Sequence, residues 1–245
     1  MACDGRYADN NSGGSKQQIV DYTMRSTNAI VEVQSNITPT DKRINGAVIE
    51  NLVIDGLSLS NGATGILLEN VCNCLIRNIT IRNCEVGIRV KLTSASNGVG
   101  SHGNRFEHIW MSNVKTGIVF EGVSGAKDFS YTSIDDVSIN LVSNTSSAVG
   151  INIGLNASLC CGFVRGVVWL GSSGGKGLDV SGELRYSLVN LGVERTSSVG
   201  YGVVVNSGGK VLDNQSFLLK ALGFSSSAII NNSGNNYDGG ITPFT

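Results

Sequence analysis

Proline is almost missing from this chain of 245 residues, which has only Pro39 and Pro243, and the only histidines are His102 and His108. Charged residues make up 15% of it, well below the roughly 25% of an ordinary soluble domain. The formal net charge is −1 and the isoelectric point about 6.1, so a basic footprint for nucleic acid is lacking and no nucleic-acid partner is expected. No stretch approaches the roughly 20 apolar residues that cross a bilayer, although mean hydropathy is +0.09. Membrane insertion is therefore not expected. Met1 to Ser15 is polar and rich in Gly and Asn, without the apolar core of a signal peptide. The six cysteines, Cys3, Cys72, Cys74, Cys84, Cys160 and Cys161, lack the spacing of a zinc site. Buried thiols are the expectation, because free cysteine packs as a small hydrophobe. No metal or cofactor is expected. Disorder is not expected either, since Val, Ile and Leu recur throughout at near-zero net charge.

What the chain has in excess is glycine, 32 residues, arranged in repeats. One series reads apolar, variable, Asn-like, apolar, variable, apolar. It runs through Ile49–Ile54, Ile76–Ile81, Phe106–Met111, Ile134–Ile139, Val164–Trp169 and Leu188–Val193, and more loosely through Gln215–Leu219. Counted from Asn51 to Ser216, its steps are 27, 30, 28, 30, 24 and 26 residues. A second series reads Gly, apolar, variable, apolar, and starts at Gly65, Gly87, Gly117, Gly150, Gly177 and Gly202. Ala29–Val33 and Ala228–Ile230 are its degraded end copies. The two series alternate strictly. Each motif is too short for a helix and alternates with period two, as in a strand with one buried face. The glycines and asparagines suit bends that need left-handed backbone angles. A unit of this size cannot bury its own apolar face, so it must stack on copies of itself.

The expected fold is thus all-β, a single-stranded right-handed parallel β-helix of about seven to eight coils. Residues 29–230 form the helix, 1–28 a polar N-terminal segment or cap, and 231–245 a C-terminal tail or cap. Ile79, Ile109, Val137, Val167 and Leu191 are expected to point inward, as are Ile66, Ile88, Ile118, Ile151, Leu178 and Val203. Asn51, Asn78, His108, Asp136, Gly166 and Asn190 read as an asparagine ladder in a buried bend, with His108 a substitute member. The neighbouring column is charged: Glu50, Arg77, Glu107, Asp135 and Arg165. Within it Glu107 and Asp135 fall on adjacent coils about 5 Å apart, near the carboxyl separation of a retaining glycosidase. Trp110 falls in the outward column with Val53, Thr80, Ser138 and Val168, where an indole offers sugars a flat apolar face. The longer segments Lys91–Asn104, Glu121–Ser133 and Gly154–Phe163 are expected to wall a groove beside it.

Asn78-Ile-Thr-Ile-Arg-Asn-Cys84 and Glu85-Val-Gly-Ile-Arg-Val90 resemble coils of the pectate-lyase-like superfamily, which includes pectate lyases, polygalacturonases and phage tailspikes. The resemblance covers Ala29 to Ile230 and implies the fold. Gly87-Ile-Arg-Val-Lys91 is similar to the substrate-binding motif of polygalacturonases, which implies Arg89 and Lys91 as contacts to an anionic sugar. The preceding coils lack the aspartates and Gly-His-Gly of those enzymes, and Ser101-His-Gly-Asn104 lies on the wrong side of Arg89. The calcium cluster of pectate lyases and the Asp-Pro-His-Glu motif of alginate epimerases are absent too. The resulting expectation is a carbohydrate-binding or adhesive domain of a virion or cell surface, tailspike-like, with a polysaccharide or surface glycan as partner. Substrate would meet Trp110, Arg77, Arg82, Arg89 and Lys91. Two alternatives remain: a hydrolase or lyase using Glu107, Asp135 and Asp136, and a structural rod that assembles as a homotrimer or end to end through open coil edges.

Overall fold

A computed structural model describes residues 28–34, 44–93, 100–125, 128–195, 199–214, 216–224 and 228–233. The chain is a parallel β-solenoid. One sheet, the Gly sheet, has eight strands: Ala29–Gln34, Thr64–Glu69, Val86–Lys91, Thr116–Glu121, Val149–Ile153, Lys176–Val180, Tyr201–Val205 and Ile229–Asn231. The other, the Asn sheet, has seven: Val48–Asp55, Leu75–Arg82, Arg105–Val114, Ser133–Leu141, Phe163–Leu170, Leu188–Arg195 and Ser216–Leu222. Among the described residues, seven passes through the Asn sheet close about six full turns, slightly fewer than the seven to eight expected, because the outermost strands belong to incomplete coils. A third, narrower side carries Ser158–Cys160, Glu183–Arg185 and Lys210–Leu212, and earlier Val71–Cys72 beside Ile44–Asn45.

Columns of inward side chains from all three sides fill the interior. Ile66, Ile88, Ile118, Ile151, Leu178 and Val203 face one another in register along the Gly sheet and are buried, as expected. Leu159, Leu184 and Val211 do the same on the third side. Phe106, Phe120 and Phe129, one from each side, meet edge to face at 6.5 and 5.5 Å and tie a coil across its middle.

The Asn series owes its spacing to a repeated bulge. Apolar residues three apart, such as Ile49 and Leu52, would face opposite sides of a regular strand. One extra residue in the left-handed region restores both to the interior, and it is Asn51 (φ 58°), Asn78 (φ 54°), His108 (φ 53°) and Asp136 (φ 54°) in four consecutive coils. The fifth coil drops it. Val137 faces Gly166, and the register shifts between Ile134 and Val137. Gly166 and Asn190 therefore leave the ladder: neither has a positive φ, and Asn190 faces Arg165. Val167, expected inside, pairs with Ser138 and turns outward, whereas Val168 is buried opposite Ile139. Leu191 is buried as expected, but opposite Gly166.

Steric room, and not a bend, explains the glycines. None of the six has a positive φ. A Cβ on Gly65, Gly87, Gly117, Gly150 or Gly177 would lie 2.5–2.7 Å from the carbonyl oxygen of the next glycine in the column, closer than carbon and oxygen can approach. Gly117→Ala would also press on Ile139 at 2.7 Å. Such overpacking costs about 1–3 kcal/mol, which a lowered urea midpoint at unchanged cooperativity will register.

Candidate functional site

The outer surface of the Asn sheet is a flat pleated face that carries most of the singled-out residues. Trp110 stands near its centre, 61% exposed, between buried Ile109 and Met111, so period-two alternation placed the indole correctly. Thr80 and Ser138 sit beside it on the neighbouring coils. The next outward position along the strand is Ser112, flanked in register by Arg82 and Asn140. Val168 is not part of this column; the register shift replaces it with Val167. Trp169 faces outward instead, half-buried, and its indole N–H donates to Glu194 at 3.1 Å.

On the other side of Trp110 lies the bulge ladder, which is exposed and not the buried bend expected of it. Asn78 donates to the Asn51 side chain at 3.2 Å, and His108 Nδ1 meets Asp136 at 2.6 Å. Both pairs bridge adjacent coils. The polar ladder that does satisfy buried backbone lies just before three of the Asn-sheet strands, those that begin at Arg105, Leu188 and Ser216. There Asn104 accepts from the Cys74 N–H at 3.0 Å, Ser187 from the Gly162 N–H at 3.1 Å, and Asn214 from the Ser187 N–H at 3.0 Å. Its sequence signal was a small polar residue one or two places ahead of an apolar motif, as at Asn104, Ser187 and Asn214.

Glu107 and Asp135 face each other across adjacent strands, as the spacing predicted. Each has its own cation: Asp135 meets Arg165 at 2.6 Å, and Glu107 lies 3.7 Å from Arg105. With Asp136 engaged by His108, all three carboxylates are matched by basic groups. Arg77 pairs with Glu50 at 2.6 Å, and Arg82 with Asp55 at 2.8 Å. Burial pushes the Asp55 carboxyl up, but hydrogen bonds from Asn83, the Leu57 N–H and Arg82 outweigh it and hold the group below its ordinary value of 3.8.

Arg89 and Lys91 are not brought to this face. They project from the Gly sheet, where Arg89 lies 3.5 Å from Glu121 and Lys91 3.7 Å from Glu69. The long segments do not act as walls where they are described. They supply the third side of the coil, Phe129 and Ser158–Cys160 among them. Sequence reasoning also missed a column at the corner between that third side and the Asn sheet: Asn73, Gly103, Tyr131, Cys161, Tyr186 and Asp213 all have φ between 50° and 66°.

Of the cysteines, Cys72, Cys74 and Cys84 are buried thiols as expected, but Cys160 is half-buried and Cys161 exposed. Burial raises the Cys74 thiol and pushes Cys84 up to about 11. Cys3 lies outside the described residues. Compared with protein-family models, curated proteins and solved structures, the chain has no match in any of the three.

Asp55 is expected to couple stability to acid. Because its folded value is depressed, its contribution is complete above 3.8 and vanishes as pH falls through the lower folded value. Asp55→Asn will lower the urea midpoint at neutral pH and flatten its decline between about pH 5 and pH 2. Iodoacetamide at mildly alkaline pH will alkylate Cys161 in the native protein, and Cys72, Cys74 and Cys84 only after unfolding, as peptide mass spectrometry can show.

Proposed function

We propose that this solenoid binds carbohydrate on the flat face of its Asn sheet, with the Trp110 indole as the platform for a sugar ring. The observation that carries the reading is that indole: a large apolar surface left 61% in water amid hydroxyl, amide and guanidinium groups. Sugar rings present apolar C–H faces and polar rims, which match such a surface better than a purely apolar partner would. Thr80, Ser138, Arg82 and Asn140, fixed on neighbouring strands, would meet the rim.

Binding without cleavage is favoured by the state of the acidic residues. General acid–base work on a glycosidic bond needs one carboxyl kept protonated beside another. Glu107, Asp135 and Asp136 each face a basic group instead. The resemblance of the coils to the pectate-lyase-like superfamily, tailspikes in particular, points the same way and suggests an extracellular or virion-surface setting. Trimeric or end-to-end assembly would add avidity to a single shallow platform.

A glycan array spanning acidic and neutral polysaccharides tests the proposal, with calorimetry on the strongest hit. Trp110→Ala will weaken binding by about 1–3 kcal/mol and leave the melting temperature nearly unchanged, because no core cavity opens. A large fall in melting temperature with intact affinity, or no binding across the array, would overturn the reading.

A further inference from the structure

We infer that the corner between the third side and the Asn sheet is a second glycan-binding row, formed by Tyr131 and Tyr186. The inference rests on the carbohydrate-binding reading above and extends it to a separate set of residues. Backbone hydrogen bonds align the corner coil by coil. The Asn73 N–H donates to His102 O, Gly103 to Ser130 O, Tyr131 to Cys160 O and Cys161 to Arg185 O, at 2.8–3.1 Å. Tyr131, Cys161 and Tyr186 therefore hold equivalent positions on three successive coils, each in the left-handed region, at φ 57°, 53° and 50°.

That conformation suits Gly, Asn and Asp, and the same column uses Asn73, Gly103 and Asp213 in its other coils. For a tyrosine it is an unfavourable choice, acceptable where packing rewards it. Burial in the core does not reward it here: Tyr131 is 68% exposed and Tyr186 44% exposed, its ring touched by the Arg185 guanidinium. Two bulky residues in a strained backbone position, both aimed at solvent, match the pattern of strain retained for a function and not for stability.

Their arrangement suggests what they hold. The two backbone positions stand two coils apart, about 10 Å at the inter-strand distance, with Cys161 between them. An extended polysaccharide running along the solenoid axis could lay alternate sugar units on the two rings, while the intervening unit passes over Cys161. Arg185 stiffens the second platform. Its guanidinium carbon lies 5.1 Å from the Tyr186 ring centroid, and it bonds the Tyr186 hydroxyl at 3.1 Å and Asp213 at 3.3 Å. Near-neutral net charge and the pairing of Arg185 with Asp213 disfavour a nucleic-acid strand on the same rings.

Tyr131→Asn and Tyr186→Asn, singly and together, install the residue that the column carries at Asn73. Native electrophoresis through gels containing polygalacturonate, alginate, xylan or dextran gives the affinity, and thermal melting gives the stability. Each substitution is expected to weaken binding of the retarding polysaccharide roughly tenfold while the melting temperature holds or rises by about 2–4 °C as strain is relieved. If the double variant is retarded like the parent while Trp110→Ala is not, the tyrosine row is wrong and the Trp110 platform stands. If the double variant alone loses retardation, the row stands and the Trp110 platform falls. Retardation of the parent by none of the four gels overturns both.

Discussion

Parallel backbone pairing from one coil to the next is the interaction on which every other feature depends. No single turn of this chain encloses a core. Each contributes one apolar side chain per face to a column that its neighbours complete, so the interior exists only as a stack. The glycine column shows how tight the stack is. Six glycines face one another because a methyl group would meet the adjacent coil's carbonyl oxygen. The same pairing fixes the surface, because a residue placed outward on one strand has defined neighbours about 4.8 Å to either side.

A solenoid of near-identical turns could slip by a whole coil at little cost in apolar burial. Two features oppose that. The extra left-handed residue is present in the first four Asn-sheet strands and absent from the later ones, so a slipped stack would set bulged strands against regular ones. Oppositely charged side chains also face each other in register, as in Glu50 with Arg77, Asp55 with Arg82, Asp135 with Arg165 and Glu183 with Lys210. Such exposed pairs add little stability one by one. A one-coil slip that set Glu50 against Glu107, in place of the Arg77 that lies between them, would nevertheless be penalised.

The fold was legible in the sequence because its determinants are local and repeated. Gly87-Ile88 and Gly117-Ile118 announce a column without reference to anything distant, and the outward direction of Trp110 follows from Ile109 and Met111 alone. Legibility failed where the repeat changes length. Aligning Gly166 with Asp136 by similarity put Val167 inside and Val168 outside, because a one-residue deletion in a strand reverses every later side chain. Burial of the bends was misjudged for a related reason. An asparagine in the left-handed region looks the same in sequence whether its amide faces water, as at Asn78, or backbone, as at Asn70. Tyr131 and Tyr186 left no trace, since a tyrosine at a positive φ contradicts the propensities by which turns are recognised. Arg89 and Lys91 were grouped with Trp110 by motif similarity, but the strand that carries them belongs to the other sheet.

The outer face of the Asn sheet is therefore an array of aromatic and polar groups spaced by the coil repeat. Its two tryptophans make the central claim directly measurable. Trp110 is exposed on the Asn face, whereas the Trp169 indole N–H is engaged by Glu194. In a nitrogen–proton correlation spectrum the two indole signals can be followed while a retained oligosaccharide is titrated in. The account predicts that the Trp110 indole signal moves and saturates with the ligand while that of Trp169 stays in place. A Trp110 signal that remains fixed while signals elsewhere on the solenoid shift would contradict it.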